Sequence, residues 1–175
     1  MIGEKLLNVQ NEKADAFMLR FDILKQEINN LQGGIQSYDK MLISIKSWSL
    51  TVFSGLVLLA SQDTVIDRSY YLLLGLFTTL MFWMLDGYFK GIQRVYTERY
   101  NKIEKYLQQD EFLDAIRMKE WGTFLFPDIG SGFTTISNWE RWRRSLEGMF
   151  LFNTYIFYLL MAVVGFFLLI LSIQV

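Results

Sequence analysis

After Glu147 the sequence carries no charged side chain as far as Val175, and the stretch from Met149 to Ile173 includes the run FYLLMAVVGFFLLIL. Few folds accommodate such a run. Crossing about 30 Å of hydrocarbon takes about 20 apolar residues in a helix, and this stretch exceeds that. A helix on the surface of a soluble core would show a polar face, and this one shows none. The pattern therefore predicts a membrane span over residues 148–175.

Two further spans are predicted. Residues 69–89 are uncharged up to Leu85, with Asp86 inside the apolar pattern and Lys90 just beyond it. Residues 43–61 read ISIKSWSLTVFSGLVLLAS, where Lys46 near one end can extend its ammonium to the headgroups. An interfacial helix is the alternative for this first segment, which carries three serines and a threonine between Lys46 and Ser61. The chain is 52% hydrophobic, above the usual share for a soluble domain, and its Trp, Tyr and Phe suit membrane interfaces.

Basic residues near span ends face the cytoplasm. Lys40 and Lys46 flank span one, Lys90, Arg94, Arg99, Lys102 and Lys105 follow span two, and Arg141, Arg143 and Arg144 precede span three. The 62–68 loop carries only Arg68 against Asp63 and Asp67. The N-terminus and the 90–147 connection are therefore expected in the cytoplasm, and the C-terminus outside. The first forty residues are charged throughout and show no cleavable signal, so insertion is expected to begin with span one.

Composition narrows the chemistry. The chain has no histidine and no cysteine, which removes Ser-His and Cys-His catalysis, thiolate metal sites and disulfides. Asp110, Glu111 and Asp114 lie at helical spacing as a solvated face. Gly130-Ser131-Gly132 lacks the spacing and the Lys-Ser/Thr of a phosphate loop. The expectation is a non-enzyme with no cofactor and no metal. A net charge of −1 gives no general pull toward nucleic acid, and direct nucleic-acid binding is not expected.

Residues 1–42 carry a heptad seam. Phe17, Phe21, Leu24, Ile28, Leu31, Ile35, Tyr38, Leu42 and Ile45 alternate in steps of four and three. The seam runs into span one, so one long helix is expected, with Gly33-Gly34 as a weak point or hinge. A second stripe, Phe89, Ile92, Tyr96, Tyr100, Ile103 and Leu107, extends span two to about Gln108. The two stripes can pair within one chain. Alternatively Phe21, Leu24, Ile28, Leu31 and Ile35 form a seam for another subunit or a partner.

Residues Asp110–Glu120 are expected to form a short helix with Phe112, Leu113 and Ile116 inward. An aromatic loop with Phe124, Phe126 and Phe133 follows. Ser137 with Glu140 forms a capping-box signature that starts a helix leading into span three. There Trp139 and Trp142, beside Arg141, Arg143 and Arg144, read as membrane-interface anchors.

Polar residues inside the predicted spans carry the functional signal. Ser44, Ser47, Thr51 and Ser54 form one stripe on span one, while Thr79 and Asp86 share a face of span two. Ser47, Thr51, Ser54, Thr79 and Asp86 are candidates either for helix packing or for the lining of an oligomeric pore.

The segment MFWMLDGYFKGIQRVYTERYNKIEKYL, with IKSWSLTVFSGLVLLAS before it, resembles small bacterial membrane proteins found beside anti-phage defence genes. The resemblance rests on a Trp-x-Leu-Asp-x-Tyr pattern at Trp83, Leu85, Asp86 and Tyr88, and on Tyr96 and Tyr100. It covers roughly residues 40–107 and, more loosely, 138–172. It implies a homo-oligomeric inner-membrane effector that permeabilises or depolarises the membrane when a cytosolic sensor protein triggers it. The alternative is a non-conducting anchor or regulatory subunit that docks a cytosolic complex. The expected architecture is all-α, with three transmembrane helices and long cytosolic helical extensions.

Overall fold

A computed structural model describes residues 2–62, 67–119 and 137–174. The order is α1 (Ile2–Ala60), α2 (Arg68–Leu107), α3 (Asp110–Met118), α4 (Asn138–Met149) and α5 (Phe152–Gln174). The fold is all-α, with no strand among the described residues. Three helices, α1, α2 and α5, are long and apolar enough to cross a membrane. The aromatic loop with Phe124, Phe126 and Phe133 lies outside the described residues.

The chain divides into two compact units: residues 1–36 with 95–135, and residues 37–94 with 136–175. Both α1 and α2 contribute to each.

In the first unit the heptad seam of α1 meets α2 in antiparallel order. Leu24, Leu31 and Ile103 are buried together, with Ile28, Tyr96, Tyr100 and Leu107 against them. Gln32 donates to the Tyr100 hydroxyl at 3.1 Å beside this core. The seam is thus filled from within the chain.

Helix α1 runs without a break through Gly33-Gly34. A methyl at Gly34 would come within 2.9 Å of the Tyr96 ring, so the glycine lets that ring lie on the helix backbone. That contact offsets part of the helix cost of about 1 kcal/mol per glycine.

Helix α3 buries Phe112 and Ala115, whereas Leu113 and Ile116 are exposed. The inward face is therefore rotated from the expected one. The edge-on contact of Phe112 with Tyr106, at 5.7 Å between ring centroids, accompanies that phase. The helix ends at Lys119, whose left-handed backbone returns its N–H to the Ala115 carbonyl.

The second unit joins residues 37–60 of α1, residues 68–94 of α2, and helices α4 and α5. Its interior contains Leu42, Ile45, Phe53, Leu72, Ile92 and Met161. Many other apolar side chains face outward, among them Leu58, Phe77, Val163, Phe166, Phe167 and Ile170. Water does not tolerate that much contiguous apolar surface on a monomer.

Helix α4 begins as expected: the Ser137 hydroxyl accepts from the Glu140 N–H at 3.2 Å. The Glu140 side chain, however, pairs with Arg143 and Arg144. The chain then turns at Phe150-Leu151 before α5, so α4 and the third apolar helix are separate elements.

Candidate functional site

The polar interior of the second unit centres on Asp86. This residue of α2 is 1% exposed, and neither carboxylate oxygen has a hydrogen-bond partner among the described residues. Its counter-charge comes from α1: Lys46 Nζ lies 3.7 Å from Asp86 Oδ2. That distance gives Coulombic attraction without a hydrogen bond. The ammonium donates instead to the Asn153 backbone carbonyl at the start of α5, at 3.1 Å. The Tyr158 phenol of α5 also acts on the carboxylate, though no hydrogen bond of good geometry joins the two. One turn along α2, Lys90 is held by Gln93 at 2.6 Å, and Gln93 donates to Asp39 at 2.6 Å.

Local sequence explains the arrangement. Asp86 falls on the face of α2 that also buries Thr79, Gln93 and Ile92. Thr79 spends its hydroxyl on the Gly75 carbonyl at 2.8 Å, so it is satisfied within its own helix. Asp86 has no such local acceptor to use, because an ionised carboxylate only accepts. It depends on groups brought by other helices.

The five polar positions singled out from sequence do not converge. Thr79 and Asp86 are inside the unit, whereas Ser47, Thr51 and Ser54 face outward on α1. Ser44, Ser47 and Thr51 each donate to the carbonyl four residues earlier, at 2.9–3.0 Å. Ser54 borders an apolar cleft of about 490 Å³ with Leu50, Phe53 and Leu160. A single copy of the chain does not line a pore with these residues.

The seam residues Phe21, Leu24, Ile28, Leu31 and Ile35 are buried or half-buried in the first unit, with Leu24, Leu31 and Ile28 in the core with Ile103. Leu24, Ile28 and Leu31 are thus engaged by α2 within the chain.

In α4, Trp139 and Trp142 are 76% and 61% exposed, and Leu146 and Phe150 continue that outer face. The basic residues beside them are largely neutralised. Arg143 pairs with Glu140 at 3.2 Å and Glu147 at 3.5 Å, Arg144 with Glu140 at 3.2 Å, and Arg94 of α2 with Glu147 at 3.1 Å. Arg141 is half-buried. The helix presents aromatic surface more than net positive charge.

Several contributors escape a reading of local sequence. Trp83 donates its indole N–H to the Met149 carbonyl at 3.0 Å, satisfying an end group of α4, and Phe150 lies edge-on to its ring at 5.7 Å. Gly87 and Gly91 receive α4 at backbone distance: a methyl on Gly91 would meet the Arg144 carbonyl at 3.1 Å, and one on Gly148 the Gly87 carbonyl at 2.5 Å. The Gly-x-x-x-Gly spacing of Gly87 and Gly91 was a legible signal for such an approach. Lys46 and Tyr158 carried none that linked them to Asp86.

No known family model matches the chain, and neither a curated protein nor a solved structure is similar to it.

Proposed function

We propose that this chain is a multi-pass inner-membrane effector, its N-terminus cytoplasmic, which assembles with copies of itself and permeabilises or depolarises the membrane when a cytosolic defence partner engages it. The observation that supports this reading most is the outward polar stripe of α1. Ser44, Ser47, Thr51 and Ser54 are exposed along a segment otherwise apolar enough to cross a bilayer. Lipid is a poor solvent for such a face, and an assembly that turned several copies toward one axis would hydrate it. The resemblance around Trp83, Asp86 and Tyr96 points the same way.

The test is ion flux from liposomes and membrane potential in cells that overproduce the protein. Flux that Thr51→Leu or Ser47→Leu clearly reduces, with the fold intact, supports the reading, because an apolar ring in a narrow pore favours dewetting. An unchanged membrane potential under every activating condition overturns it.

A second reading, a non-conducting anchor for a cytosolic complex, draws on different residues. Met18 and Leu19 of α1 and Met118 of α3 are each more than half exposed in the first unit. Under this reading these side chains are the contact points for a protein partner. Co-purification of a soluble partner that Met18→Ser/Leu19→Ser abolishes, with no ion flux at any stage, is its expected signature.

A further inference from the structure

Asp86 is buried on all sides, yet its pairing is incomplete. A carboxylate removed from water costs several kcal/mol unless a counter-charge accompanies it. Lys46 supplies that charge at 3.7 Å, the only cation within ion-pair distance among the described residues. Lys90, the other lysine whose charge reaches Asp86, is engaged by Gln93. The Lys46 side chain is 28% exposed and has a flexible four-carbon stem, so its ammonium can withdraw toward the headgroup layer. Once it withdraws, the two carboxylate oxygens and the Tyr158 phenol oxygen are without a hydrogen-bond partner among the described residues, and the Asn153 carbonyl loses the ammonium that donated to it.

We infer that Asp86 is a monovalent-cation site, at which the tethered ammonium of Lys46 and a small cation such as sodium exchange. The donor set decides the class of ligand. Calcium takes six to eight oxygens, commonly from several carboxylates, and magnesium a near-ideal octahedron. The single carboxylate of Asp86 balances one positive charge, so a divalent ion would bring an uncompensated charge into the interior, and no cluster of three acidic residues exists among the described residues to offset it. Occupancy by the cation removes the Lys46 link of α1 to Asp86 of α2 and to the Asn153 carbonyl of α5, while the Gln93–Asp39 hydrogen bond and the apolar packing of α1 stay in place. The inference rests on the proposed membrane placement but not on conductance, so a non-conducting protein can still pass its test.

The test uses the whole protein in lipid nanodiscs, with sodium, potassium or choline chloride at constant ionic strength. In the wild type, the rate at which a small acylating reagent modifies Lys46, read by mass spectrometry, is expected to rise about threefold or more in sodium over choline. Mass action at a site about two-thirds filled or better gives a change of that order. Asp86→Asn is expected to remove the cation dependence. Lys46→Met is expected to melt at least about 3 °C higher in sodium than in choline, a shift that Lys46→Met/Asp86→Asn lacks. Equal acylation rates in all three salts overturn the inference, whether or not Lys46→Met folds. So does a cation dependence that persists after Asp86→Asn.

Discussion

Arg99 donates its Nε–H to Glu27 Oε1 across 2.7 Å, and the Glu27 side chain is fully buried in the first unit. Arg99 retains slight exposure, so the two partners are unequal. Removing the arginine strands a buried carboxylate. Arg99→Ala is expected to destabilise the protein by about 3 kcal/mol or more, the usual consequence of breaking a buried pair from one side. Glu27→Leu/Arg99→Met, which removes both charges, is expected to recover most of that loss. Chemical denaturation of the single and double variants measures the difference. A double variant no better than Arg99→Ala would contradict it.

Two glycines should respond to alanine in opposite directions. Gly33 lies inside a continuous helix with open space around it, so Gly33→Ala is expected to stabilise by about 0.5–1 kcal/mol. A methyl on Gly148 would lie 2.5 Å from the Gly87 carbonyl oxygen and 3.2 Å from the Gly91 nitrogen. Backbone atoms cannot rotate out of the way as a side chain can. Gly148→Ala is expected to destabilise by about 1–3 kcal/mol, as overpacked interiors do. Melting temperatures of the two variants in one detergent settle the signs.

Trp139 and Trp142 on the outer face of α4 are expected to lie at the headgroup level of a bilayer. Fluorescence from either, isolated by replacing the other tryptophans with phenylalanine, should be quenched more by a label near the glycerol backbone than by one at the acyl-chain end. Equal quenching by water-borne iodide with and without lipid would count against this placement.

Tyr106 offers a pH prediction. Burial, and then the negative charge of Glu111, hold its phenol above the ordinary tyrosine range. A folded pKa above the unfolded one means that the folded state keeps its proton longer. The stabilising contribution is therefore complete below about pH 10 and is lost as pH rises beyond it. Tyr106→Phe is expected to flatten the alkaline fall in stability. An unaltered alkaline limb in the variant would contradict the assignment.

Much of the helical layout can be read from residue order. The four-three spacing from Phe17 to Ile45 marks a helix that continues as α1, and the stripe from Phe89 to Leu107 marks the length of α2. These are local periodicities, and every residue repeats the signal. Pairing is less legible. Asp86 stands out as a charge within an apolar stretch, but its partner Lys46 is fixed only by the register of α1 against α2. The inward phase of α3 was misjudged because nine residues give few turns to average over, so Phe112 and Ala115 rather than Leu113 and Ile116 turned inward. The exposure of Ser47 and Thr51 was equally hidden, since a hydroxyl stripe looks the same whether it faces a neighbour, a pore or lipid.

Unequal span lengths follow from where Lys46 is held. Helix α5 has 23 uncharged residues, about 35 Å at the α-helical rise, whereas the apolar part of α1 beyond Lys46 ends at Ala60 and measures about 21 Å. Hydrocarbon about 30 Å thick fits neither. The longer helix can tilt, whereas the shorter one can thin the bilayer around it, associate with other copies, or draw Lys46 toward the headgroups. Acyl-chain length then acts as a mechanical load on the Lys46–Asp86 contact: long-chain lipids pull the ammonium outward, and short-chain lipids let it stay.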